Sequence, residues 1–115
     1  MRLRLVLALW LLFGSLATAQ DAAKAHIRFF NDSTKTASFY VDSQFGCSIP
    51  ANSEENNAYC DAEVAIGKHG VSVRGEKLSS QSCELYAVGR NGVEPGAEAH
   101  LSKGEHLRCI SYAHD

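Results

Sequence analysis

Residues 37–42 have the sequence Ala-Ser-Phe-Tyr-Val-Asp, and this alternation decides the fold class. Phe39 and Val41 point to one face of an extended strand, while Tyr40 and its polar neighbours point to the other. The same two-residue period recurs in short segments along the chain, separated by turn residues. We predict β-strands over residues 26–30, 37–42, 47–49, 58–66, 71–74, 83–88, 97–102 and 107–112.

These segments predict an all-β fold, because no segment beyond the N-terminus shows a sustained helical period. Short strands with frequent turns are typical of a small antiparallel β-sandwich, either Ig-like or prealbumin-like. We expect residues 67–70 to form a turn and residues 79–82 a loop. The turn sequence Asn31-Asp32-Ser33 is also a glycosylation sequon, which we expect to be accessible.

The N-terminus has the three parts of a secretory signal peptide. Arg2 and Arg4 make its start positive, an apolar run covers residues 5–13, and Ala17-Thr18-Ala19 supplies the small residues that a signal peptidase recognises. The apolar run is too short to cross a bilayer as a helix. We therefore predict cleavage after residue 19 and a secreted or periplasmic protein with no membrane insertion.

The rest of the chain is long enough for one domain. The sequence has 115 residues, of which 45% are hydrophobic and 21% charged, and this length excludes a full dinucleotide-binding sheet or a TIM barrel. We divide it into the signal peptide (1–19), a flexible lead (20–25) and a single β-sandwich domain (26–113). Removing the two arginines of the signal peptide changes the formal net charge from −2 to −4. An acidic domain is poorly suited to nucleic acid, so no nucleic-acid partner is expected.

The four cysteines all lie beyond the signal peptide, at Cys47, Cys60, Cys83 and Cys109. An even number of cysteines in a short exported chain predicts two disulfides. Three connectivities are possible; we favour Cys47–Cys60 and Cys83–Cys109, because each pair lies in neighbouring predicted strands. The other two connectivities stay open. The spacings do not fit a zinc site.

Several short motifs in the first half of the mature chain occur together. They are Tyr40-Val41-Asp42, Ile49-Pro50, Gly67-Lys68-His69 and Val71-Ser72-Val73. Over residues 26–75 they resemble the PEGA-type extracytoplasmic domains. The resemblance implies a small β-sandwich that binds or spaces other molecules at the cell envelope without catalysis, and it assigns no functional residue. The chain departs from the family pattern at Ser43, where a glycine is usual, and residues 76–115 have no counterpart.

Catalytic motifs are missing from the sequence. It contains no GxSxG elbow, no SxxK and no HExxH helix. His100 and His106 flank a predicted hairpin turn, where Glu98 or Glu105 could complete a weak metal site. We interpret these histidines as solvated turn and strand-edge residues. No enzyme activity, metal or cofactor is therefore expected.

Two features are candidates for contact with a partner. The first is a polar loop, with Asn52, Glu54, Glu55, Asn56 and Asn57 as its candidate residues. The second is an aromatic patch of Phe30, Tyr40 and Tyr86 on an outer sheet face. The alternative is that these three aromatic residues form the core of a second sheet.

These features favour an exported, non-catalytic binding module whose partner is a protein or an envelope glycan. An inhibitor of a secreted enzyme is one form of it, with the polar loop as the inhibitory segment. The first alternative is a structural or accessory domain of the cell envelope. The second alternative is a small hydrolase or metal-binding protein.

Overall fold

Eight β-strands pack as two four-stranded sheets in the computed structural model, which describes residues 24–53, 55–90 and 94–112. The strands are β1 (Lys24–Asn31), β2 (Ala37–Val41), β3 (Gln44–Ile49), β4 (Cys60–Ala65), β5 (Gly67–Gly75), β6 (Leu78–Ala87), β7 (Ala97–Leu101) and β8 (Leu107–Ser111). The expected signal peptide lies outside the described residues. The described part contains no helix that could cross a membrane.

The strand order confirms a small β-sandwich. The first sheet has the order β4-β1-β7-β8 and the second sheet has the order β3-β2-β5-β6. All neighbouring strands are antiparallel except β1 and β7, which run parallel with Ile27 opposite Ala97. In an Ig constant domain the first strand lies beside the second. Here β1 lies between β4 and β7, which favours the prealbumin-like alternative.

The core lies between the sheets and follows the alternation predicted from residues 37–42. Phe29 of β1 stacks on Phe39 of β2 with ring centroids 5.0 Å apart, and both side chains are fully buried. The other buried apolar residues of this core are Ala25, Ile27, Ala37, Val41, Ile49, Val71, Val73, Leu85, Ala87, Ala97, Ala99 and Leu101. Fully burying a phenylalanine, isoleucine, leucine or valine side chain contributes about 1.5–3 kcal/mol, so the large residues of this core provide the main stabilisation of the sandwich.

Two strands are longer than the local sequence predicts. Residues 67–70 were expected to turn, but they begin β5 and pair with residues 84–87 of β6. Residues 79–82 were expected to be a loop, but they belong to β6, where three of them are exposed. Pairing between β5 and β6 makes strands of both segments despite their glycine and serine content, since β propensity depends strongly on context.

The start of the domain also differs from the prediction. The flexible lead was expected to extend to residue 25, but β1 begins at Lys24 and Ala25 is buried in the core. Residues 20–23 of that lead, and residue 113 at the expected end of the domain, lie outside the described residues. Lys24 and Ala25 therefore belong to the first strand of the sandwich.

Both favoured disulfides are confirmed, but the strands that each one joins are not neighbours in one sheet as expected. Cys47–Cys60 joins β3 to β4, and Cys83–Cys109 joins β6 to β8. These four strands are the edges of the two sheets, so each bridge crosses from one sheet to the other on one side of the sandwich. The cysteines therefore join the sheets to each other, and neither bridge joins hydrogen-bonded neighbours.

Asn31 is buried, so the expectation of an accessible sequon is wrong. Its side chain is fully inaccessible, and Nδ2 donates hydrogen bonds to the carbonyl oxygens of Lys35, Ile49 and Pro50 at 2.7, 3.0 and 3.1 Å. Its Oδ1 accepts the hydroxyl of Ser33 at 2.7 Å. A glycan attached to Nδ2 would break these bonds, so this fold requires an unmodified Asn31.

Candidate functional site

The structure separates the aromatic residues that were predicted to form one patch. Phe30 lies on the outer face of the first sheet, whereas Tyr40 and Tyr86 lie on the outer face of the second. The single patch is therefore wrong, because β1 and β2 belong to different sheets. The alternative of a second core is also wrong, since Tyr86 is 39% exposed and the inward positions are taken by other residues.

Phe30 instead belongs to a row of planar side chains that crosses the first sheet. Its ring stacks on His100 of β7 with centroids 4.4 Å apart, and Tyr59 lies on its other side at 5.7 Å. We call Tyr59, Phe30 and His100 the aromatic row. Arg108 of β8 is opposite His100 and continues the row to the far edge of the sheet. From Tyr59 to Arg108 these side chains cover three inter-strand spacings, which is about 14 Å.

Arg28 and Asp61 form the charged support at the β4 end of the row. The guanidinium of Arg28 donates two hydrogen bonds to Asp61, at 2.8 and 3.0 Å, and lies 4.1 Å from the centre of the Tyr59 ring. The hydrogen bonds that Arg28 donates to Asp61 raise the pKa of Arg28. This bidentate pair and the cation–π contact hold Tyr59 in a defined orientation.

Glu98 contacts His100 of the aromatic row and fixes the position of its ring. One carboxylate oxygen is 2.7 Å from Nε2 of His100, and the other accepts the hydroxyl of Tyr112. Burial raises the pKa of Glu98, but the hydrogen bonds from Tyr112 and His100 outweigh it, so the pKa lies below its usual value. Burial and the hydrogen bond to Glu98 raise the pKa of Tyr112 to about 12. The carboxylate therefore stays ionised and orients the imidazole.

The row leads into two clefts at the end of the first sheet. One has a volume of about 480 Å³ and is lined by Asp32, His100, Ser102, His106 and Arg108. The other has a volume of about 340 Å³ and is lined by Asp32, Asn52, Glu55, Ser102 and Lys103. Because Asp32 and Ser102 line both clefts, the polar loop and the aromatic row belong to one continuous surface.

The polar loop, residues 51–57, is anchored to the sandwich. Ser53 is buried, and the amide of Asn52 donates a hydrogen bond to the carbonyl of Ser33 at 3.0 Å. Asn52 and Asn57 both have a φ of 56°, a conformation that asparagine adopts more readily than most residues. The predicted contact residues Glu55, Asn56 and Asn57 are exposed, Asn52 is half-buried, and Glu54 lies outside the described residues.

Sequence reasoning missed Tyr59, Arg28 and the Glu98–Tyr112 pair. One signal was present: residues 28 and 30 share a face of β1, and residues 98 and 100 share a face of β7. The missing information was that β1 and β7 are neighbours, although they are far apart in the sequence. Local alternation assigns side chains to faces but does not identify which strands pair.

Metal ligands do not converge in the part of the chain that the structure describes, where no group of three or more His, Cys, Asp or Glu residues is placed to hold an ion. His100 is close to Glu98, and it shares a cleft with His106. His69 lies at a different place, against Asp42.

Comparison of the chain with models of protein families and with curated proteins found no match. The resemblance to PEGA-type domains stays a prediction.

Proposed function

We propose that the chain is an exported, non-catalytic binding module that contacts a protein partner through the polar loop and the aromatic row. One observation carries the proposal: Phe30 stacks on His100, which lines a cleft that shares Asp32 and Ser102 with the cleft at the polar loop, so two features identified separately in the sequence lie on one surface. Export is supported by the predicted signal peptide and by two disulfides, which are typical of oxidising compartments.

The arrangement of the rings favours a protein over a glycan. The faces of Phe30 are in contact with His100 and Tyr59, and Arg28 lies over the ring of Tyr59. A sugar ring usually stacks on an open aromatic face, and these contacts cover one face of Phe30 and one face of Tyr59. Tyrosine, phenylalanine and arginine are enriched in protein–protein interfaces, where they supply much of the binding energy.

The surface is also held rigid before any partner arrives. Hydrogen bonds fix Ser53 in the loop, and the pairs Arg28–Asp61 and His100–Glu98 fix the support of the row. Binding to a pre-ordered surface loses less conformational entropy than binding to a mobile one. An inhibitor of a secreted enzyme is one concrete form of such a module, with the exposed residues of the polar loop entering the enzyme.

Affinity capture from a secreted or periplasmic extract tests this proposal, with the oxidised domain of residues 20–115 as bait. We expect one protein to be enriched, and we expect the double variant Tyr59→Ala and Arg108→Ala to capture at least about tenfold less, as for loss of a strong interface contact. The matched control is Phe45→Ala, because Phe45 is 62% exposed on the second sheet, against the ring of Tyr40.

The outcomes separate the alternatives. If the double variant of Tyr59 and Arg108 lost no more capture than the control Phe45→Ala, the interface would lie elsewhere. Binding to a glycan array together with no captured protein would replace the protein partner by a glycan. No binding in either experiment would favour a structural domain of the cell envelope.

A further inference from the structure

His69 joins the two sheets at one end of the sandwich. It lies on β5, and its side chain is only 12% exposed. Nδ1 is 2.6 Å from Oδ2 of Asp42, in the turn between β2 and β3, and Nε2 is 2.7 Å from the carbonyl oxygen of Ala65. Ala65 is the last residue of β4 in the first sheet, whereas Asp42 and His69 belong to the second.

Both ring nitrogens of His69 therefore lie against acceptors. The carbonyl of Ala65 can only accept a hydrogen bond, and so can an ionised carboxylate at Asp42. A neutral imidazole carries one N–H and satisfies only one of them, whereas the imidazolium satisfies both. Asp42 is itself fixed, because its Oδ1 accepts the amide of Gly70 at 2.9 Å and its own amide donates to the Gly70 carbonyl at 2.8 Å.

The contact lies beside an opening between the sheets. A cleft of about 290 Å³ separates β3 from β4 and is lined by Val41, Asp42, Gln44, Phe45, Gly46, Ala62, Glu63 and Val64. At the first residue of β4, Cys60 is held to β3 by its disulfide. At the last residue, Ala65 is joined to β5 of the second sheet through Ile66, and its carbonyl oxygen contacts His69 of that strand. The two links therefore restrain opposite ends of β4.

We propose that His69 is a pH-operated clasp, in which the imidazolium binds the carbonyl oxygen of Ala65 at the end of β4, and loss of its proton releases that carbonyl and widens the cleft between β3 and β4. In the neutral form, the charge of Asp42 keeps the remaining proton on Nδ1. Nε2 then presents a lone pair to the Ala65 carbonyl, and two acceptors at this distance repel each other.

The other charged groups near the clasp are paired with each other. On β4, Glu63 pairs with Lys24 of β1 at 3.3 Å, and next to His69 on β5, Lys68 pairs with Glu84 of β6 at 3.5 Å. The residue of β6 opposite His69 is the apolar Leu85. Asp42 is thus the charged group in direct contact with the ring among the described residues.

The direction of the pH response follows from the two partners. Burial lowers the pKa of His69, but its hydrogen bonds to Asp42 and to Ala65 raise it by more, so the pKa lies above its ordinary value. The hydrogen bonds from His69 and from the Gly70 amide hold the pKa of Asp42 below its usual value. The clasp is therefore fully formed below the ordinary pKa of histidine, and it is lost as the pH rises through the raised pKa.

Native-state hydrogen exchange of the oxidised domain, with histidine titration by NMR, tests the clasp between about pH 5 and about pH 9. We expect the protection factors of the last amides of β4 to fall about tenfold as His69 loses its proton, as for loss of one hydrogen bond. Protection in the β7–β8 hairpin should stay constant. In His69→Gln, β4 should show the lower protection at every pH, whereas the control His106→Gln should keep the response.

Constant protection of β4 in the unmodified domain across the titration of His69 would overturn the proposal. So would a neutral His69 at the acidic end of the range. Both results come from the unmodified domain, so the test is decisive even if His69→Gln does not fold.

Discussion

Asn31 and Ser53 are joined by a reciprocal pair of hydrogen bonds. The amide of Asn31 donates to the hydroxyl of Ser53 at 2.6 Å, and the amide of Ser53 donates to the carbonyl of Asn31 at 2.6 Å. The side chain of Asn31 also reaches the carbonyl of Ile49, at the end of β3. One buried residue therefore links β1, the second sheet and the polar loop.

Asn31→Ala should destabilise the domain by about 3 kcal/mol, because it removes the donor that satisfies several carbonyl oxygens and leaves them buried. The exposed Asn56 serves as the matched control, since its Nδ2 donates one hydrogen bond to Asn52 at the surface. Asn56→Ala should cost less than about 1 kcal/mol. Urea unfolding measures both, and equal losses would contradict the role of Asn31.

Gln81 closes the side of the sandwich where β6 meets β8. Its amide nitrogen donates to the carbonyl of Glu105 at 2.5 Å, and its oxygen accepts the amide of Leu107 at 2.9 Å. Gln81→Ala leaves both backbone groups without this partner and should cost about 2 kcal/mol. Gln44→Ala, at an exposed position of β3, should change stability by less than about 0.5 kcal/mol. If thermal unfolding shows the same shift for both variants, the cross-sheet bonds of Gln81 contribute little.

Gly96 is buried at a close approach of two segments. Its amide donates to the carbonyl of His26 at 2.8 Å, and a Cβ on Gly96 would overlap the carbonyl oxygen of Val88. Gly96→Ala should therefore cost about 3 kcal/mol or more, since the backbone must move. The control is Gly70→Ala, where the Cβ would be 3.9 Å from Asp42 and has room. Urea unfolding measures the stability of both variants. Equal free energies of unfolding for Gly96→Ala and Gly70→Ala would disprove the steric overlap at Gly96.

The strands could be predicted from the sequence because they depend on local patterns, and the favoured disulfide pairing is confirmed although its strands lie in different sheets. Alternation placed Phe39 and Val41 inward, and it was confirmed. Cys83 and Cys109 were assigned as partners from their places in two predicted strands, and the structure confirms the bond. The assignment of strands to sheets could not be predicted in the same way, because it depends on pairing between distant segments.

The errors at the candidate site have this same origin. Phe30 and Tyr40 were grouped because they are close in sequence, but their strands lie in different sheets. Asn31 was expected to be exposed because Asn-Asp-Ser is a turn sequence, yet the ends of β1 and β3 and the polar loop enclose it. The contact of Asp42 with His69 joins residues that are 27 positions apart. Tertiary packing determines each of these features.

Tyr112 provides a pH-dependent test of the network that supports the aromatic row. Burial and the carboxylate of Glu98 raise the pKa of Tyr112 to about 12, above the ordinary value for tyrosine. The folded state therefore favours the neutral phenol. The resulting stabilisation is fully present below about pH 10 and is lost as the pH rises towards about 12.

Glu98→Gln should lower the pKa of Tyr112 towards its ordinary value, because the amide can still accept the hydroxyl but carries no negative charge. Absorbance of the phenolate follows the four tyrosines during titration, and the last of them should ionise at a lower pH in the variant. The control Glu63→Gln removes the same charge from a carboxylate of β4 that contacts Lys24 at 3.3 Å, at the opposite edge of the first sheet from β8, and it should leave the last ionisation near its original place. Ionisation of all four tyrosines at one ordinary pKa in the unmodified domain would show that Glu98 does not hold Tyr112, and the support of the aromatic row would have to be sought elsewhere.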